Sequence, residues 1–251
     1  MKKILLIALT ICIVLTIGCV RAPKRERSEE DEEYDLQTAP AEKYTEDGFE
    51  YKIVDGEAWI TAYDERDINV VVPEYIEGKP VTVICDDAFY QRKKIVSVIL
   101  PTTLRKLDGA PFYRCYSLKK INIPANVSEI DSNPCFRCYS LEEITVDESN
   151  THYKAIDGVL YSKDGRTLIE YPEGKRDIKY VIPDSVTEIA ESSFGYHCIY
   201  LDILVVGENV TKFPDNNEFY TYSPYNVILV VKPNSAAEEY AKKYDVLYRV
   251  E

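Results

Sequence analysis

Cys115-Tyr116-Ser117-Leu118-Lys119-Lys120-Ile121-Asn122-Ile123-Pro124-Ala125-Asn126-Val127-Ser128-Glu129-Ile130 returns twenty-three residues later as Cys138-Tyr139-Ser140-Leu141-Glu142-Glu143-Ile144-Thr145-Val146. A fixed period of that length marks a solenoid, whose units cannot bury their apolar faces alone. Looser copies run from Val70 to Phe89, Ile95 to Leu107, Ile178 to Ile189 and Leu201 to Phe213. In each, apolar alternation ahead of a proline or glycine predicts a short strand, because period two puts Val98 and Leu100 on one face and Ile99 on the other. Where it is a proline, the missing N–H ends the strand. An apolar pair three residues apart, such as Leu104 and Leu107, then carries the chain back along the other wall. The expected fold is a β-rich solenoid with a parallel sheet and one continuous core.

At 251 residues, 45% hydrophobic and 29% charged, the composition is that of an ordinary soluble globular chain with room for a sizeable core. A formal charge of −13 argues against nucleic acid as a partner, which needs a basic footprint.

Met1-Lys2-Lys3 supplies a positive start and Ile4 to Gly18 an apolar run short for a membrane span and suited to a secretory signal. Residues 1–18 therefore read as a signal peptide. Leu15-Thr16-Ile17-Gly18-Cys19 resembles the bacterial lipobox, although Thr16 stands where that pattern favours leucine. The resemblance implies that Cys19 is diacylated and becomes the mature N-terminus, and two acyl chains hold a protein stably on a membrane. Ordinary cleavage, or an uncleaved anchor, is the alternative.

Residues 19–46 contain Ser28-Glu29-Glu30-Asp31-Glu32-Glu33 and almost no large aliphatic residues. Such a stretch cannot offset the entropy of ordering and reads as an extended acidic tether, or else an acidic interaction tail. The folded part is expected over 47–251. It opens with a hairpin cap in which Asp55-Gly56 turns between Phe49–Ile53 and Ala58–Ala62. An insertion between Val146 and Arg176 reads as a hairpin around Lys163-Asp164-Gly165. Ser235 caps a short C-terminal helix with a Glu239–Lys243 pair, followed by a strand at Val246 to Val250.

The motif Leu-x-x-Ile-x-Ile-Pro-x-x-Val-x-x-Ile, followed by Ala-Phe-x-x-Cys-x-x-Leu and clearest at 107–146, resembles the BspA-type leucine-rich repeat of bacterial surface proteins. The resemblance covers roughly residues 50–245, with Cys135 in place of the pattern's phenylalanine. It implies a right-handed leucine-rich-repeat coil, and a secreted or surface-anchored binding protein of the kind linked in some members to adhesion.

Little in the sequence suggests chemistry. Beyond Cys12 and Cys19 there remain Cys85, Cys115, Cys135, Cys138 and Cys198. Cys135-Phe136-Arg137-Cys138 could be a redox pair or half a zinc site. Because Cys115 and Cys138 occupy matching repeat positions, they read instead as buried packing groups, with a disulfide between coils as the alternative. His152 and His197 lie in different units without a nucleophile pattern. No catalytic residue, metal or cofactor is expected. Asn126-Val127-Ser128 and Asn209-Val210-Thr211 match glycosylation sequons but fall at the recurring turn, and read as turn residues.

For a partner, the outward strand positions Val71, Ile99, Asn122, Thr145, Val181 and Val205 are expected to stack into one β-branched row, which plain strand propensity also explains. Lys120 and Glu143 pair in a second row. Phe219-Tyr220-Thr221-Tyr222-Ser223-Pro224-Tyr225 offers Tyr220, Tyr222 and Tyr225 as interface anchors. Tyr90, Tyr113 and Phe136 align and read as packing. The expected function is a lipid-anchored, non-enzymatic binding module on the cell surface, recognising a protein or other surface ligand and touching the membrane only through its lipid. The alternative is a structural role in the envelope.

Overall fold

The chain enters its fold through antiparallel strands in the computed structural model, which describes residues 43–195, 197–216 and 227–251. β1 (Lys43–Tyr44) pairs with β2 (Phe49–Val54), and β2 with β3 (Glu57–Tyr63). Asp55 and Gly56 form the hairpin turn with φ of 50° and 83°, the positive values that match a two-residue loop to the twist of its strands. Among the described residues, strand pairing is already present at Lys43, upstream of residue 47.

The coils follow. β4 (Asn69–Val71), β5 (Tyr75–Ile76) and β6 (Lys79–Ile84) make the first, with β5 and β6 folded back around Gly78. β7 (Ser97–Ile99) with β8 (Lys106–Leu107), and β9 (Lys120–Ile123) with β10 (Glu129–Ile130), make the next two, and β11 (Glu143–Val146) begins a further one. Strands of successive coils collect in two stacks, β4-β7-β9-β11 and β3-β6-β8-β10. In the first stack Val70, Val98, Ile121 and Ile144 lie in register and buried, each gaining about 1.5–3 kcal/mol from burial. The turns behave alike. The N–H groups of Leu104, Val127 and Val186 donate to the carbonyls of Pro101, Pro124 and Pro183. Asn126 and Asn209 reach back to the carbonyls of Thr102 and Asp184 at 2.7 and 2.9 Å, as turn residues tying one coil to the last.

Two expectations are corrected by the insertion. It is a three-stranded meander, β12 (Tyr153–Ile156), β13 (Val159–Ser162) and β14 (Thr167–Glu170), with a further turn at Asp157-Gly158. The core is also not continuous. β13 is a wall between two apolar clusters: Leu160 packs into the first, with Phe89, Phe112 and Ile121, while Val159 and Tyr161 pack into the second. Alternation along one strand produces this division, since neighbouring side chains leave opposite faces.

At the wall the β11 edge meets a main-chain carbonyl, Ile144 N–H donating to Gly158 at 2.9 Å, while side chains close the rest. Tyr153 accepts the Ile130 N–H at 2.9 Å on its hydroxyl, where another coil would have supplied a carbonyl. The fully buried Asn150 amide donates to the carbonyls of Pro124 and Val127 and accepts the N–H groups of His152 and Tyr153. Beyond the wall, β14 runs parallel to β16 (Glu188–Ile189), and a separate parallel sheet forms from β15 (Lys179–Val181), β17 (Ile203–Val205), β18 (Ile228–Val231) and β19 (Tyr248–Val250).

Between β18 and β19 lies α1 (Ala236–Tyr244), whose Ala237, Tyr240 and Ala241 face the second cluster at helical spacing. Ser235 caps it by accepting the Glu238 N–H. The ion pair along the helix is Glu238–Lys242 at 2.7 Å, not Glu239–Lys243, because Lys243 reaches instead to Asp215 at 2.9 Å.

Candidate binding surface

Outward positions of β4, β7, β9 and β11 stand in two rows. Val71, Ile99, Asn122 and Thr145 form one; Asn69, Ser97, Lys120 and Glu143 form the other. Val71 and Ile99 are each 62% exposed, large apolar groups open to water at one end of the row. At the other end Thr145 donates to the Asn122 side chain at 2.9 Å. The second row satisfies itself, with Ser97 donating to Asn69 at 2.8 Å and Lys120 paired to Glu143 at 2.6 Å. That exposed pair raises the Lys120 pKa through its hydrogen bond to Glu143. A hollow of about 300 Å³ lies beside it, lined by Glu142, Asp157, Gly158 and Lys175.

The single row of six breaks at the wall. Val181 and Val205 pair in register on β15 and β17, but in the second sheet, which is not hydrogen-bonded to the first. Burial also deepens along them: Val181 is 55% exposed, Val205 half-buried, and Val230, next in register on β18, is buried. Exposed Ile178 and Ile199, with Tyr200 under the Arg176 guanidinium at 5.6 Å, widen the apolar area near Val181. Tyr220, Tyr222 and Tyr225 lie outside the described residues, as does Cys19.

The cysteines and histidines do not converge on a reactive centre. Cys115, Cys135, Cys138 and Cys198 are free and buried. The Cys115 thiol donates to the Phe89 carbonyl at 3.1 Å and the Cys138 thiol to that of Phe112 at 3.0 Å. Burial pushes the Cys135 thiol up to about 12, so its nucleophilic thiolate is absent at neutral pH. His152 is exposed, and the ring of His197 lies 4.1 Å from that of Tyr139. Among the described residues no group of three or more histidine, cysteine or acidic side chains could hold a metal ion, and no helix is long and apolar enough to cross a membrane.

The aligned rings read from the sequence as packing do stack, but the cations gathered beside them were not anticipated. Tyr90, Tyr113 and Phe136 stack at the coil edge with centroids 5.4 and 5.7 Å apart, and Arg114 lies 4.9 Å over Tyr113. Beside them Tyr116 and Tyr139 stack at 4.9 Å, with the Lys93 ammonium 5.6 Å over Tyr116. These rings are partly exposed. The signal was available in the spacing: Arg114 and Arg137, like Tyr116 and Tyr139, recur at twenty-three residues.

Residues 72–162 match the family model for the BspA type leucine rich repeat region, in six copies. Nothing among curated proteins matches the chain. Among solved structures, it is similar to the leucine-rich repeat protein of T. pallidum, with 21% identity and a TM-score of 0.49 over 82% of this chain and 98% of that one. It is also similar to a leucine-rich repeat protein from Eubacterium ventriosum, with 17% identity and a TM-score of 0.44 over 75% of this chain. There it spans 65% of that protein's length. A leucine rich cell surface protein from Faecalibacterium prausnitzii matches with 19% identity and a TM-score of 0.40, over 77% of this chain and 76% of that one.

Proposed function

We propose that this chain, which carries BspA-type leucine-rich repeats over residues 72–162, is an exported, lipid-anchored module that binds a protein at the cell surface and catalyses nothing. The signal-like start and Gly18-Cys19 support export and anchoring. The observation that carries the binding role is the open sheet face on which Val71 and Ile99 are each 62% exposed. Apolar groups standing together on an open sheet face cost free energy in water, and a partner that covers them recovers it. The polar row alongside, Asn69 to Glu143, supplies hydrogen-bonding groups that fix orientation.

The experiment has two arms. Wild-type protein should partition into detergent and Cys19→Ala into the soluble or precursor fraction; equal partitioning removes the anchor. The soluble Cys19→Ala chain should then bind surface proteins with saturable affinity that Ile99→Glu abolishes. Binding that never saturates, or that ignores Ile99→Glu, removes the sheet face.

A further inference from the structure

We infer that the acidic run Ser28-Glu29-Glu30-Asp31-Glu32-Glu33 docks, within its own chain, along the coil edge that carries Tyr90, Arg92, Lys93, Tyr113, Arg114 and Arg137. The edge is set apart by its arginines. Arg66, Arg105, Arg166, Arg176 and Arg249 each lie within 4.0 Å of a carboxylate. Arg92 and Arg114 have no carboxylate that close among the described residues, and their Nε–H groups are buried without an acceptor. Lys93 likewise lies over Tyr116 rather than against an acid. In a chain of net charge −13, cations on consecutive coils that face rings and a tyrosine hydroxyl rather than carboxylates are out of proportion to the rest of the surface.

Position and reach select the occupant. Tyr44 in β1 and Arg92 line one hollow of about 330 Å³, so the chain that leads into β1 arrives at this end of the edge. From Glu33 to Tyr44 is eleven residues, up to roughly 36–40 Å when extended. Arg92 to Arg137 spans two coil steps, about 10 Å at the spacing of stacked strands. The run brings five carboxylates in six residues to that distance. Glu50, Asp64 and Asp87 also line the hollow and repel the run there, although Asp64 is held by Arg66 at 2.6 Å. The contact therefore belongs further along, at Arg114, where the flanking rings of Tyr90 and Tyr113 shield the site and strengthen guanidinium–carboxylate bonds. An exposed pair contributes little alone, so docking depends on several acting together and weakens with salt.

A water-soluble carbodiimide, which joins carboxylates to amines in direct contact, tests this on the full chain carrying Cys19→Ala. Peptides linking residues 28–33 to Lys93 or Lys94 are expected, severalfold fewer near 1 M salt, where the screening length is about 3 Å. In a mixture of isotope-labelled and unlabelled chains the links should join only like with like. A second chain, with Glu29, Glu30, Glu32 and Glu33 changed to Gln and Asp31→Asn, leaves every residue of the coils intact. In it phenylglyoxal should modify Arg114 severalfold faster. Links only to distant lysines such as Lys179, links only between copies, or equal arginine reactivity in the two chains would each overturn the inference.

Discussion

Glu173 accepts a hydrogen bond from the main-chain N–H of Arg137 at 2.6 Å, across thirty-six residues of sequence. Its other carboxylate oxygen accepts the His197 N–H at 3.0 Å. One buried side chain thus stitches a turn of the first half to a turn of the second, over the wall that divides their cores. Glu170, also buried, lies close by on β14, with one carboxylate oxygen lacking a partner.

Burial pushes the Glu173 carboxyl up to about 7, against the two N–H donors that favour its charge. Burial, and then the charge of Glu173, push Glu170 in the same direction. An unfolded glutamate titrates near 4.3, so between about pH 4.3 and 7 the folded chain holds protons that the unfolded chain has lost. Stability is therefore greatest at the acid side of that window and falls as pH rises through it, by up to about 4 kcal/mol for Glu173 alone. The thermal midpoint should be higher at pH 5 than at pH 8, and Glu173→Gln should flatten most of the difference. A wild-type midpoint that climbs between those pH values contradicts the assignment.

The four free thiols are expected to be inert in the folded state. Hydrogen bonding to Cys138, then burial, holds the Cys115 thiol up, and burial does the same for Cys138 and Cys198. A thiol reagent should therefore leave Cys115, Cys135, Cys138 and Cys198 unlabelled until denaturant is added, as mass spectrometry of peptides would record. Cys115→Ser should cost under about 1.5 kcal/mol, because its hydroxyl inherits the Phe89 carbonyl as acceptor. A larger loss would mean that the site cannot shorten that contact.

Gly174 sits where the meander rejoins the coils. Its N–H donates to the Leu141 carbonyl at 2.8 Å, and a Cβ there would stand 2.6 Å from the Ser140 carbonyl carbon and 2.8 Å from the Leu141 nitrogen. These are main-chain atoms and cannot swing aside. Gly174→Ala should destabilise by about 1–3 kcal/mol, as overpacking does, measured by denaturant midpoint. Gly56→Ala, which meets no neighbouring atom but keeps a φ of 83°, should cost less, about 1 kcal/mol. A reversed order would show that strain of the backbone outweighs the close approach.

For the sheet face, Ile99→Glu and Val181→Glu should each weaken a bound partner while moving the thermal midpoint little, because both side chains already stand in water. Tyr222→Ala tests the tyrosine tract in the same assay. Retained affinity in all three variants would take this surface out of consideration. Since Val181 lies on the far side of the wall from Ile99, a loss confined to Ile99→Glu would place the contact on the first sheet alone.

The repeating coils were legible because Val98, Ile121 and Ile144 recur at one spacing and only burial in register explains it. The helix cap at Ser235 and the turn at Asp55-Gly56 were legible for a similar reason, each being a local rule with a local cause. The wall was not. Val159, Leu160 and Tyr161 are a short continuous apolar run, which periodicity alone does not assign to one core or two, and residues 147–175 carry no repeat to compare. Val205 illustrates the same limit: its outward position is correct, but its half-burial depends on what lies beside β17. The arginine edge was missed because a polar residue repeated at a turn reads as a solvated one, and only the surrounding atoms reveal that Arg92 and Arg114 have no carboxylate within 4.0 Å among the described residues.

A wall that finishes the second stack and its turn with side chains has a consequence for how such chains change length over generations. Tyr153 and Asn150 meet the last coil before the wall, whichever coil that is, and the hairpin at Asp55-Gly56 meets the first. Neither end senses the number of units between them. Deleting residues 115–137, or duplicating them, would join Arg114 to Cys138 or Arg137 to Cys115 across equivalent turns, with Phe112 or Cys135 still followed by the same thiol and tyrosine. Recombination in whole twenty-three-residue steps is thus tolerated between the two ends, whereas a shift of any other length would leave the buried Asn150 amide facing the wrong carbonyls.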